Sequence, residues 1–122
     1  MQNQNTVLVV DDDPAIVEFV SDALQDEGYS VITATNGAAA LVAVRQYQPQ
    51  VVVLDMRMPV MDGWAFLAVY CRQVAVHAPV IAISAHAYQS PTMLCIDAFL
   101  AKPFDLDVLL DLITKYTPST QQ

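Results

Sequence analysis

VVVLDMRMPVMDG, residues 51–63, decides how this chain is read. The run opens on Val51, Val52, Val53 and Leu54, mostly β-branched and without alternation, as expected of a short strand buried on both faces. It leads directly into Asp55. Three other runs have the same form: VLVV (7–10) into Asp11-Asp12-Asp13, VIAI (80–83) into Ser84, and AFLA (98–101) into Lys102-Pro103. In an open parallel sheet, ligands bind beyond the carboxyl ends of the strands. The sequence therefore sets carboxylates, one hydroxyl and one ammonium along one sheet edge, a set suited to holding a cation beside a phosphoryl group.

Working outward, apolar runs at 6–10, 30–34, 50–54, 79–83 and 98–101 alternate with five helical patterns. This is an α/β chain, with a doubly wound parallel sheet joined by right-handed crossovers. The first helix starts at Asp13-Pro14, a capping carboxylate followed by a proline suited to the first helical position. Its apolar stripe is Ile16, Phe19, Val20, Ala23 and Leu24, and Gly28 ends it. The second begins near Asn36-Gly37 and turns Ala40, Leu41 and Val44 to the sheet. The third follows Asp62-Gly63 and is apolar almost throughout (WAFLAVYC). The fourth, opened by Ser90-Pro91, must be short. The last begins at Asp105 and faces Leu106, Leu109, Leu110 and Ile113 inward.

The 122 residues suit one domain over 1–122, with a core at about 6–116 and a polar tail at 117–122. No apolar stretch approaches the roughly 20 residues of a membrane span, and the polar start MQNQNT does not resemble a secretory leader. Cytoplasmic placement without membrane insertion is expected. Thirteen acidic side chains against five basic ones give a net charge of −8, which opposes direct nucleic-acid binding. Cys71 and Cys95 are expected to be two reduced thiols, since nothing else indicates an oxidising compartment.

Several carboxylates ionised in one cleft repel one another unless a cation lies among them. Oxygen donors select Mg²⁺, Mn²⁺ or Ca²⁺, and His77 and His86 make no zinc-like cluster with the cysteines. Mg²⁺ uses one or two carboxylates and takes other oxygens from water or phosphate, which leaves a carboxylate for chemistry. Asp55 can then act as nucleophile on a phosphoryl donor, with Lys102 and Ser84 sharing the charge of the transferred group.

At these residues the chain resembles the response-regulator receiver domains of bacterial two-component signalling. The resemblance rests on VLVVDDDP (7–14), VVVLDMRMPVMDG (51–63), VIAISA (80–85) and FLAKPF (99–104), and covers residues 6–116. It implies a flavodoxin-like sheet in strand order 2-1-3-4-5. It implies that Asp55 is the phosphoacceptor, served by a sensor histidine kinase or histidine phosphotransfer protein. Asp12 would bind Mg²⁺ (or Mn²⁺) directly, Asp11 mostly through water, and Asp55 and the Arg57 backbone carbonyl would complete the ligation. Lys102 would contact the phosphoryl group, with Pro103 behind it in a cis bond. Ser84 would be the switch hydroxyl and Phe99 the aromatic that turns inward with it. Pro59 and Gly63 shape the active-site loop. Asp13 and Asp62 are expected as helix caps, and Met56, Met58 and Met61 as packing. Phosphorylation and dephosphorylation would be self-catalysed, and the output would be a downstream protein, an effector domain or a homodimer.

Three features depart from the family pattern. The stretch from Ser84 to Lys102 is about one helical turn short, so the fourth helix is expected to be shortened. Arg57 and His86 stand two residues beyond Asp55 and Ser84, where they would tune phosphoryl lifetime. Apolar residues also lie off the inward stripes: Val108, Leu112 and Tyr116 on the last helix, and Trp64, Phe66, Val69 and Tyr70 on the third. These call either for a covering partner or, on the third helix, for core burial. Competing functions are a small metal-dependent phosphatase, a phosphate-independent interaction module and a mononucleotide-binding redox domain. The first lacks an acid/base aspartate two residues after Asp55, where Arg57 stands. The second would fit a chain that had lost the acidic pair, Asp55 or Lys102. The third lacks a glycine-rich phosphate loop after the first strand.

Overall fold

A computed structural model of the chain describes residues 5–73, 77–85 and 95–117. The described elements run β1 (Thr6–Val10), α1 (Pro14–Asp26), β2 (Ser30–Ala34), α2 (Gly37–Tyr47), β3 (Val51–Asp55), α3 (Gly63–Gln73), β4 (Val80–Ser84), β5 (Ala98–Ala101) and α4 (Leu106–Tyr116). The five strands form one parallel sheet in order β2-β1-β3-β4-β5, the flavodoxin-like arrangement expected. The expected short helix opened by Ser90-Pro91 lies outside the described residues, so α4 is the helix expected last in the sequence.

Strand alternation divides the core into two layers. Val7, Val9, Val51, Val53, Ile81 and Ile83 face one side, where they pack with Val20 and Leu24 of α1 and with Leu109 and Ile113 of α4. Leu8, Val10, Val52, Leu54, Val80 and Ala82 face the other, against Ala40 and Val44 of α2 and Phe66, Leu67 and Tyr70 of α3. Burial on both faces explains why these strands lack polar alternation.

Four sequence expectations are revised, and one open alternative is decided. β3 and β4 each lie one residue later than read: Pro79 has no N–H to give the ladder, and its carbonyl accepts from the Val52 amide, so β4 starts at Val80. Asp55 and Ser84 are thus the last residues of their strands rather than the first beyond them. Phe19 is 54 % exposed and faces solvent, because Val20 and Leu24, one turn apart, form the true inward line of α1. Of the two alternatives open for the third helix, core burial holds for Phe66 and Tyr70, which need no partner to cover them. On α4 only Val108 of the outer stripe is exposed, while Leu112 and Tyr116 pack against the core. Finally, Cys71 and Cys95 are not separate thiols: they are joined in a disulfide with Cα atoms 5.7 Å apart. The crossover from β3 to β4 brings the end of α3 beside the chain entering β5, a meeting that linear spacing does not reveal.

Candidate functional site

The site follows from strand register. Val10 pairs with Leu54, so Asp11 and Asp55 come side by side at the carboxyl edge. Ser84 pairs with Ala101, and the Ser84 carbonyl accepts from the Lys102 amide at 2.8 Å, which brings Lys102 to the same edge. The Lys102–Pro103 bond is cis, as the family resemblance implied.

Asp11, Asp12 and Asp55 each offer a carboxylate oxygen, and these atoms lie within 4.8 Å of one another. Asp11 and Asp55 are buried and Asp12 is exposed. The Lys102 ammonium lies 3.2 Å from Asp55 Oδ1 and 3.7 Å from Asp11 Oδ2. Arg57 and Ala85 complete a cleft of about 270 Å³ around Asp11–Asp13, Asp55 and Lys102. Burial pushes the Asp55 carboxyl above its ordinary range, opposed by Lys102 and by a hydrogen bond from the Arg57 amide. Burial likewise raises Asp11, and the nearby Asp55 charge adds to it, while the Asp13 amide donates to Asp11 Oδ1 at 2.9 Å and opposes the rise. Two carboxylates that resist ionisation, beside a third, have more negative charge to place than one ammonium neutralises. All three donors are hard oxygens, so the set fits Mg²⁺.

Asp13 is the N-cap of α1, its side chain accepting from the Ala15 amide at 3.0 Å. Asn36 and Asp105 cap α2 and α4 in the same way, and Asp62 accepts from the Ala65 amide at 2.9 Å at the start of α3. Ser84 is fully buried, and Phe99 is half-buried against the layer that holds Phe66 and Tyr70. Met56 is buried and forms the floor of a second cleft of about 520 Å³, lined also by Arg57, Met58, Pro59, Asp62 and Trp64. His86 lies outside the described residues.

Residues 56–62 contain a feature the sequence reading missed. Met61 N–H donates to the Pro59 carbonyl at 2.7 Å, closing a three-residue turn around Val60, whose φ is 70°. That is the strained sense of a γ-turn, and unusual for a β-branched residue. Two glycines hold the loop in place. The Gly37 amide donates to the Met61 carbonyl at 2.7 Å, and a Cβ there would lie 2.8 Å from that oxygen. At Gly63 a Cβ would lie 2.8 Å from Met56 Cα. The Asn36-Gly37 pair was visible as a helix start, but its contact with Met61 was not.

A family model described as "Response regulator receiver domain" matches residues 7–114. The chain is 39% identical over 108 residues to the transcriptional regulatory protein KdpE of Mycobacterium tuberculosis, a match covering 85% of this chain and 47% of KdpE. The chain therefore spans about half the length of that relative. It is 34% identical over 124 residues to the sporulation initiation phosphotransferase F of Bacillus subtilis, with 97% of each covered. Among solved structures, the response regulator TrrA of Thermotoga maritima, in complex with Mg²⁺-BeF, is similar with a TM-score of 0.79 at 31% identity, over 92% of this chain and 98% of that one. No helix among the described residues is long and apolar enough to cross a membrane.

Proposed function

The chain belongs to the response-regulator receiver family, and on that premise we propose that Asp55 is its phosphoacceptor, with Asp12, Asp11, Asp55 and the Arg57 carbonyl as the Mg²⁺ site. It is a Mg²⁺-dependent phosphoaccepting signalling domain rather than an enzyme that turns over an external substrate. The observation that supports these assignments best is the convergence of the Asp11, Asp12 and Asp55 carboxylates within 4.8 Å, with Lys102 3.2 Å from Asp55.

In this reading Asp55 supplies the attacking carboxylate oxygen. The P–N bond to the donor imidazole breaks as the P–O bond to Asp55 forms, and because the other ring nitrogen of the phosphohistidine carries a proton, the leaving group is neutral imidazole. Lys102 holds a phosphoryl oxygen through its ammonium, and Ser84 donates its hydroxyl to another. Bound Mg²⁺ supplies neutralisation of the charge on the phosphoryl oxygens. Phe99 turns toward the space that Ser84 vacates, coupling the site to β5. Arg57 lines the cleft and tunes the lifetime of the phosphoryl group; His86, two residues beyond Ser84 in the sequence, is assigned the same tuning role. Pro59, Gly63 and Pro103 keep the loop and the lysine in place.

The phosphodonor is a sensor histidine kinase or a histidine phosphotransfer protein, and the output is a downstream protein, an effector domain or a homodimer. The chain acts as one receiver unit with its core at about 6–116, in the cytoplasm.

Intact mass after incubation with a small phosphodonor and Mg²⁺ tests the central assignment. One phosphoryl group adds about 80 daltons. The gain is expected in the native chain and absent from Asp55→Asn; equal gain in both would move the phosphoacceptor elsewhere.

A further inference from the structure

The bridge between Cys71 and Cys95 joins the last turn of α3 to the chain entering β5 and encloses β4, across a sequence separation of 24. The Cys95 amide donates to Cys71 Sγ, so the two residues are matched in backbone as well as sulfur. Both residues are half-buried, so the bridge borders solvent instead of lying within the core. Cys71, Cys95, Ile96 and Phe99 all pack against the same apolar layer, which contains Phe66, Tyr70 and Ala82. The bridge thus fastens the entry to β5 onto α3, one short segment ahead of Phe99.

We propose that Cys71 and Cys95 form a reversible redox-modification site, served by a dithiol, that sets how far β5 responds to phosphorylation of Asp55. The proposal rests on the phosphoacceptor reading above and adds a second input to it. In a cytoplasmic protein a disulfide of this kind is usually transient and regulatory. Reduction proceeds by exchange. A thiolate of the dithiol attacks one sulfur, the Cys71–Cys95 bond breaks and a mixed disulfide forms. The second thiol of the dithiol then displaces the remaining cysteine. Two electrons and two protons pass to Cys71 and Cys95, and the dithiol ends as a disulfide. Oxidation reverses these steps, with a disulfide as electron acceptor.

In the oxidised chain Cys95 is held to α3, and the lead into Phe99 moves only with that helix. In the reduced chain the two segments separate, and β5 repacks at lower cost. Reduction should therefore strengthen binding of a phosphoryl mimic. Linkage requires the converse: the occupied site should favour reduction by the same factor.

The test uses the full chain equilibrated in oxidised or reduced dithiothreitol. Iodoacetamide trapping and intact mass should show no alkylation of the folded oxidised form and two alkylations of the reduced form. Titration of both with beryllofluoride and Mg²⁺ should give binding about fivefold tighter in the reduced form, the lower end of ordinary coupling between sites. Cys71→Ser and Cys95→Ser should each match the reduced form in either buffer. Two alkylated thiols under oxidising conditions, or equal affinities in the two forms, overturn the proposal. A small-donor mass gain at Asp55 measured in parallel separates the causes. If the gain is normal, equal affinities discard the redox input alone; without any gain, the phosphoacceptor reading and the redox input fail together.

Discussion

The Gly37 amide donates to the Met61 carbonyl at 2.7 Å, and this bond fastens the first turn of α2 to the loop that follows Asp55. No side chain other than hydrogen fits at that point, because an added Cβ would meet both the Met61 carbonyl and Met61 Cγ.

Gly37→Ala should therefore destabilise the fold by about 1–2 kcal/mol, the overpacking cost outweighing the better helix propensity of alanine. It should also slow labelling by a small phosphodonor, since the displaced loop carries Arg57. Val60→Gly should do the opposite to stability, gaining about 1 kcal/mol by relieving the positive φ. Urea denaturation of the two variants checks both signs; a neutral Gly37→Ala would show that the loop is not clamped there.

In metal-free buffer the buried carboxyls should make the protein more stable toward acid. Burial raises Asp55 and Asp11 above their ordinary 3.8, so the folded state binds those protons more tightly than the unfolded chain does. Their contribution is present below the ordinary value and is lost as pH rises through the raised one. Asp55→Asn removes one such group, so its melting temperature should exceed the native chain's at neutral pH, with the gap narrowing as pH falls toward 4. Calorimetric melting curves across that range in chelator would reveal a constant gap if burial is not the cause.

Lys102 is the cation already present among the carboxylates, so replacing it should have opposite effects on metal and on phosphoryl transfer. Lys102→Met should strengthen Mg²⁺ binding about fivefold or more, since unit charges about 4 Å apart repel by about 1 kcal/mol even in water. The same variant should label poorly with a small donor. Trp64 lines the cleft next to the Asp55 loop, so its fluorescence is the natural readout of the titration.

The outer stripe of α4 separates into two kinds of residue. Leu112 packs against the core and Val108 is 44% exposed. Leu112→Asp should cost more than about 2 kcal/mol by burying a charge, whereas Val108→Asp should stay within about 0.5 kcal/mol. Val108→Asp is therefore the variant with which to probe partner or dimer contact, and a large loss of stability in it would place Val108 in the core instead.

Much of this molecule was legible because its signals are local. Runs such as VLVV and VIAI show strands, and Asp13-Pro14, Asn36 and Asp105 show helix starts, from residues within one turn of each other. Errors arose where a choice depended on distant neighbours. Phe19 and Val20 are equally apolar in sequence, and only the position of α1 on the sheet turned one outward. Phe66 and Tyr70 left a covering partner and core burial both open, and only the depth of the layer beneath α3 decided for burial.

The sequence alone determined the fold class and the residue types delivered to the sheet edge, because strand period, capping and strand-end chemistry are written in adjacent residues. Tertiary structure alone decided which of those residues meet. Parallel register put Asp11 beside Asp55, and the β4–β5 ladder carried Lys102 to them. The crossover after β3 joined Cys71 to Cys95, and the packing of α2 against the Asp55 loop made Gly37 a clamp. Each of these meetings depends on crossover direction and ladder register, which are properties of the assembled sheet and have no local signature in the chain.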